Sequence, residues 1–266
     1  MVLISGRNNM SRNVAIFWVL FSASLIFGNL YATVELEGKD RIDGRTRHQL
    51  LYVLTGVCAV ATLMLVLLPA SPRNSRDNKF AQTPDPHLGP LEALATTWNI
   101  LWKKEILLLM ITFIYAGFQQ SFGQGIFGSC IGFTRQFGVQ AKQLVPLSGL
   151  VYGVGDLVGG IGQAALNTVK SKIKCWSVVM VCLGYCCQAA AYIIVYLTIP
   201  NNAVFGESTE LSVYPSRVWL ALLASALLGL GDSCLNTQIF PLLAALQPNY
   251  SSQTCALYKF MKVTSN

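Results

Sequence analysis

Long apolar runs separated by short charged stretches set the pattern of this chain. A helix crosses the hydrocarbon core of a bilayer with about 20 mainly apolar residues. Six runs reach that length: Val14 to Val34, Leu50 to Ala70, Ile106 to Phe133, Leu144 to Thr168, Cys175 to Ile199 and Val218 to Leu246. The third and sixth are longer than a straight crossing needs, which predicts tilt or a break. Pro241 in the sixth removes one backbone donor and is the candidate position for a kink. The first run exceeds the apolar core of a secretory signal and has no clean small-residue cleavage site after it, so it reads as a span. Ala256 to Val263 begins a seventh run.

Polar residues are unevenly shared among the runs. The second has Thr55 and Thr62 alone, and the fifth has Ser177, Gln188 and Thr198, so both are expected to face lipid. The third carries Gln119, Gln120, Ser121, Gln124 and Ser129; the fourth carries Ser148, Asp156, Gln163 and Asn167. The sixth carries Ser225, Asp232, Ser233, Asn236, Thr237 and Gln238. Polar groups at membrane depth face a bundle interior or a water-filled cavity. The third, fourth and sixth runs, with Ser22, Ser24 and Asn29 of the first, are therefore expected inside.

Two carboxyls carry the sharpest chemical signal. Asp156 ends Gly153-Val154-Gly155-Asp156, and Asp232 ends Gly229-Leu230-Gly231-Asp232. An ionised Asp at mid-span costs about 2.5–3.5 kcal/mol on insertion scales. No span interior supplies a Lys or Arg, so protonation or hydration is expected to offset that cost. The pair reads either as a site of proton coupling or solute contact, or as protonated groups bonding neighbouring helices. The candidate cavity comprises Asp156, Asp232, Gln119, Gln120, Gln124 and Asn236. Gly149 with Gly153, and Gly155 with Gly159, are spaced for close helix approach, with Gly160 and Gly162 beside them. They could also let two halves of a transporter rock.

Composition agrees with this pattern. Of 266 residues 53% are hydrophobic and 12% charged. A soluble domain usually carries about 25% charged residues, so a water-facing surface could not be covered. The net charge of +7 does not mark a nucleic-acid binder, because the cations lie between apolar runs rather than on a polar domain. Assigned to alternate sides, twelve Lys and Arg fall with the two termini and seven on the opposite side. The positive-inside rule then places both termini in the cytosol. The sequons at Asn9 and Asn249 fall on that side and are expected to stay unmodified. The eight cysteines lie mostly within apolar runs and imply no disulfide framework.

The longest connection, Ser71 to Lys104, begins as a linker with Pro72, Pro84, Pro86 and Pro90. Its second part, Leu91 to Lys104, places Trp98 and Trp102 on one helical face. It reads as an interfacial helix or as a lead-in to the third span. Gly123-x-Gly125-x-x-Gly128 matches a dinucleotide fingerprint, but it lies in an apolar run with no preceding strand, and helix packing is expected. His48 and His87 lie in different loops, and the cysteines have no His partner at zinc spacing. No catalytic, cofactor or metal constellation stands out, so a non-enzyme is expected.

Several segments combine rare polar residues with fixed spacing: Ser5-Gly6-Arg7-Asn8-Asn9, Ile16-Phe17-Trp18, Phe27-Gly28-Asn29-Leu30-Tyr31, Gly128-Ser129-Cys130-Ile131-Gly132, and Leu228 through Gln238. In these the chain resembles the Unc-ninety-three-like branch of the major facilitator superfamily. The resemblance implies an all-α transmembrane fold of twelve spans in two halves. The six spanning helices here would be the fifth to tenth, a partial fold that ends within the eleventh, as in a fragment or shortened form. Residues 1–70 would end the N-terminal half, 71–104 form the central cytosolic linker, and 105–266 belong to the C-terminal half. The second and fifth runs would be the superfamily's peripheral helices.

Two functions are expected on this basis. One is a secondary transporter of a small solute the sequence does not name. The other, which the resemblance itself suggests, is a non-transporting regulator or chaperone of another membrane protein, a channel or receptor. The partner common to both is the lipid bilayer.

Overall fold

The computed structural model describes residues 10–39, 42–67, 90–165, 176–247 and 251–265. The sequons, the prolines at 72, 84 and 86, His87, Asn167 and Cys175 lie outside them. The described chain is helical: α1 (Met10–Glu35), α2 (Gly44–Val66), α3 (Pro90–Leu101), α4 (Lys104–Ser121), α5 (Phe127–Phe133), α6 (Ala141–Ala165), α7 (Trp176–Thr198), α8 (Val218–Leu246) and α9 (Ser251–Thr264). Short 3-10 turns, Arg135–Gln140 and Asn201–Val204, cap one end of the bundle.

Five helical segments are long and apolar enough to cross a membrane: Gly44–Val66, Lys104–Phe133, Ala141–Gln163, Trp176–Thr198 and Val218–Leu243. Val19–Glu35 adds a shorter apolar helix. The six expected spans therefore appear as five full crossings and one shorter apolar helix. The long third run is not broken: it continues as one helix from Lys104 to Phe133 with a π-helical turn inside it. A π-helical turn at Phe122–Ile126 joins α4 to α5 and adds a residue to the turn. The sixth run continues through Pro241 as a single helix.

Burial follows polarity for α8, α6 and α2, whose most apolar stretches are 56%, 50% and 0% buried. The third run, expected inside, is only 28% buried, close to α7 at 22%. Although α7 is expected to face lipid, it buries Gln188 and Thr198. The order across the bundle is α1, α6, α8, α7, with α4 and α9 against α8 and α2 at the periphery. One apolar core, with Phe127, Ile131, Tyr152, Ala191 and Leu228, joins α5, α6, α7 and α8. Another, with Ile106, Phe113, Ile239, Leu243 and Tyr258, joins α4, α8 and α9.

The stretch before the third span forms a helix of its own. Trp102 and Lys103 interrupt the helix between α3 and α4. Trp98 and Trp102 are exposed and meet edge to face at 6.1 Å, while Ile100 packs inward. The break at Trp102 and Lys103 separates this helix from the third span, and its two tryptophans share an exposed face.

The seventh run corrects the charge assignment. The helix α9 runs back along α8, and Tyr258 packs on Phe113 at 5.0 Å and Phe240 at 5.4 Å. Lys262 lies twelve positions into it, about 17 Å along the axis. It is buried, 4% exposed, instead of standing in a terminal loop. The cation balance becomes eleven against seven, with the same sign.

Candidate functional site

The site is built on the crossing of α6 and α8. Residues two apart on an α-helix point about 200° apart, so each Gly-x-Gly clears both flanks of its helix. A Cβ on Gly155 would meet the Ala226 carbonyl oxygen at 2.3 Å, and one on Gly229 the Tyr152 carbonyl oxygen at 2.0 Å. These two glycines form the α6–α8 contact. Their partners face outward: a Cβ on Gly153 would meet Ile26 of α1 at 3.0 Å, and one on Gly231 the Gly184 carbonyl of α7 at 2.9 Å. Backbone-to-backbone packing on both flanks fixes the depth of the aspartate that follows each motif.

Asp156 is buried between α1, α6 and α8. The Ser22 hydroxyl of α1 donates to its Oδ2. Its Oδ1 is buried without a hydrogen bond of good geometry, and the Ser233 hydroxyl of α8 stands within hydrogen-bonding reach of the carboxyl. Asp232 is surrounded differently. Asn236 Nδ2 donates to its Oδ1 at 2.8 Å, and the Tyr152 hydroxyl lies within its reach. Tyr152 Oη in turn accepts from Gln119 Nε2 at 3.3 Å. Asn236 Oδ1 accepts from Tyr258 Oη at 2.8 Å and from Lys262 Nζ at 3.2 Å. The lysine thus stands one side chain away from Asp232, within electrostatic reach of both aspartates. The expectation that no cation is present at this depth is overturned.

A second polar cluster locks α6 to α8 one to two turns further along. Gln163 Oε1 accepts from Thr237 Oγ1 and, at 2.7 Å, from Gln238 Nε2; its Nε2 donates to the Ser233 carbonyl at 3.3 Å. Across the bundle, the Tyr115 hydroxyl of α4 donates to Gln188 Oε1 of α7.

Of the six candidate cavity residues, Asp156, Asp232, Asn236 and Gln119 are buried around this crossing. Gln120 is half-buried and Gln124 exposed, and the two bond each other at 3.4 Å. Gln124 borders a cleft of about 470 Å³ that Asn29, Lys142, Ser148 and Tyr152 also line. Gln120 does not line it. Tyr152 links the cleft to Asp232, and neither it, Tyr258 nor Lys262 was among the candidates. The available signal was the spacing of Tyr258 and Lys262, four apart on one face of the seventh run. The fingerprint-like glycines serve packing in part: Gly123 lies against the Tyr152 ring and Gly128 against Val145, whereas Gly125 faces open space.

The arrangement holds two carboxyls and one ammonium in a water-poor crossing, near a mainly apolar cleft whose polar lining is Asn29, Gln124, Lys142, Ser148 and Tyr152. Such a set can exchange a proton or small cation and can hydrogen-bond a polar solute. Among the described residues no three of His, Cys, Asp and Glu stand together to hold a metal ion.

The family described as "Ion channel regulatory protein UNC-93" matches residues 1–266. The chain is 32% identical over 278 residues to "UNC93-like protein MFSD11" of Xenopus laevis, covering 98% of this chain and 61% of the relative. It is 31% identical to the Xenopus tropicalis protein of the same name, with the same coverage. It is 27% identical to "UNC93-like protein 3" of Arabidopsis thaliana, over 86% of this chain and 46% of that protein. The chain therefore spans about three fifths of the length of the frog relatives. No solved structure matches it at a significant level.

Proposed function

The chain belongs to the UNC-93 family, and from that membership we propose that it forms the substrate-handling core of a secondary transporter for a small polar solute. It is a multi-pass helical membrane protein related to the major facilitator superfamily. The observation that carries the proposal is the buried Asp156–Asp232–Lys262 cluster, which does not line the 470 Å³ cleft but is connected to it through Tyr152. Three ionisable side chains at membrane depth are costly, and such groups mark ion and solute pathways. The cleft volume falls in the range of small-molecule sites, about 300–1,000 Å³. In this reading the chain is not an enzyme. In the same reading residues 1–70 and 105–266 correspond to opposite halves of the longer relatives, joined by the 71–104 linker, and both termini are cytosolic.

The test uses the full-length protein in liposomes loaded with a panel of labelled amino acids, sugars and nucleosides. Asp156→Asn is expected to lower flux of the transported class more than about tenfold while membrane insertion is retained. Unchanged flux in both Asp156→Asn and Asp232→Asn would refute the transporter reading. Orientation has its own check. A glycosylation acceptor placed in the loop between α7 and α8, near Phe205, is expected to be modified, and one at the C-terminus is not. The reverse pattern would invert the topology.

A second reading is favoured by the family's description as ion channel regulatory and by α2. Every residue of that helix from Leu51 to Val66 is exposed. As a regulator, the chain would offer α2 to another membrane protein. Cross-linking from Val57 or Met64 to a channel subunit, unaffected by either aspartate substitution, would support it.

A further inference from the structure

A groove of about 310 Å³ opens where α7 ends and α8 begins. Ile194, Leu197 and Thr198 of α7 line it, with Trp219 and Leu220 from the first turn of α8. Tyr214 and Arg217 of the connecting loop complete the lining. The end of α7 holds that loop in place. Tyr214 N–H donates to the Leu197 carbonyl at 2.8 Å, and the Ser212 and Ser216 hydroxyls donate to the Thr198 carbonyl at 3.0 and 2.6 Å. Both helices cross the membrane, so their adjoining ends stand at its interface with water. Trp219 and Tyr214 are exposed there, at the depth where such rings meet lipid headgroups.

Charge decides what fits. Arg217 is the one charged residue in the lining, and a guanidinium stays ionised. It is exposed, and among the described residues its side chain has no hydrogen bond or ion pair. The two acids of the same loop are engaged elsewhere. Glu207 pairs with Arg135, and Glu210 Oε1 accepts from Asn202 Nδ2 at 2.7 Å. The lining thus offers a cation for an anionic group and no carboxylate for an ammonium.

We infer that this groove binds one anionic phospholipid, with the phosphate on Arg217 and an acyl chain along Ile194, Leu197 and Leu220. Guanidinium and phosphate match as a two-point hydrogen-bonded pair, and the apolar lining favours a hydrocarbon chain over water. A choline headgroup follows its phosphate with an ammonium for which the groove has no partner, so phosphatidylglycerol is preferred to phosphatidylcholine. A lipid seated there touches both α7 and α8 and braces their junction. The groove lies about 20 Å along the axis of α8 from Asp232, and its occupant does not depend on transport.

The experiment follows thermal unfolding of the complete chain in a non-ionic detergent. Phosphatidylglycerol, phosphatidylcholine with the same chains, and inorganic phosphate are added in separate arms. Phosphatidylglycerol is expected to raise the midpoint about 3 °C above phosphatidylcholine. Inorganic phosphate alone is expected to leave it unchanged, since the ion has no use for the apolar lining. Arg217→Gln is expected to lose the difference between the two lipids, and Arg217→Lys, which keeps the charge without the planar fork, to keep part of it. Arg217 is exposed, so both variants are expected to fold. Native mass spectrometry adds a direct count, with one phosphatidylglycerol retained by the wild-type chain and none by Arg217→Gln. Equal midpoints with the two lipids, an equal rise with inorganic phosphate, or a lipid preference that survives Arg217→Gln would each overturn the site.

Discussion

Gly229→Ala is expected to destabilise the protein by about 3 kcal/mol, the upper part of the range for overpacking a tight core. The added methyl carbon would lie 2.0 Å from the Tyr152 carbonyl oxygen and 3.0 Å from the Asp156 backbone nitrogen. Neither atom belongs to a side chain that can rotate away, so α6 and α8 must move apart. Gly155→Ala meets the Ala226 carbonyl at 2.3 Å and acts on the same contact from the other side. The two substitutions are expected to be less than additive, since a separation forced by one makes room for the other. Gly56→Ala is the control: nothing lies within 4 Å of its Cβ position, and alanine favours the helix. Unfolding midpoints of the three variants in detergent check the ranking. A Gly229→Ala protein as stable as Gly56→Ala would show that this crossing is looser than described.

That prediction shows what the sequence could convey. Apolar length marked the spans, because the bilayer imposes it on every crossing helix. The sparse polarity of the second run marked α2 as peripheral, since a helix without polar groups has nothing to satisfy inside. The paired Gly-x-Gly-Asp motifs pointed to close packing, but which glycine faces which neighbour needed three dimensions. Gly155 and Gly229 face each other's helices, while Gly153 and Gly231 face α1 and α7.

Other features were hidden for definite physical reasons. The π-helical turn at Phe122–Ile126 changes the register of a run whose composition is uniform across it. Gln124 is separated from the buried amides there and left at the cleft edge. Lys262 was counted as a loop cation because charge tallies assign any lysine near a chain end to the nearest loop. Its true depth depends on α9 folding back against α8, and this rests on contacts more than a hundred residues apart in sequence, such as Phe113 with Tyr258.

Lys262→Met at pH 7 is expected to cost about 3–5 kcal/mol, the effect of removing one partner from a buried charge cluster. Methionine keeps most of the aliphatic stem, so the packing of α9 through Tyr258, Phe113 and Phe240 should survive. The lost interaction is electrostatic. Asp232 would face Asp156 with only the weaker attraction of Lys259 left, and Asn236 Oδ1 would keep only the Tyr258 hydroxyl. The variant has one route to relief, which is to bind a proton at the crossing. The unfolded chain releases that proton at neutral pH, so the variant's deficit should shrink as the pH falls toward the ordinary carboxylate range, near 4. Asp232→Asn combined with Lys262→Met removes both charges and leaves an amide for Asn236 to bond. The double variant is expected to recover about 2–3 kcal/mol relative to the sum of the single ones. Unfolding of all four proteins at pH 7 and pH 5 supplies the cycle. Strict additivity, or a Lys262→Met deficit that ignores pH, would mean that the lysine packs in this crossing without neutralising it.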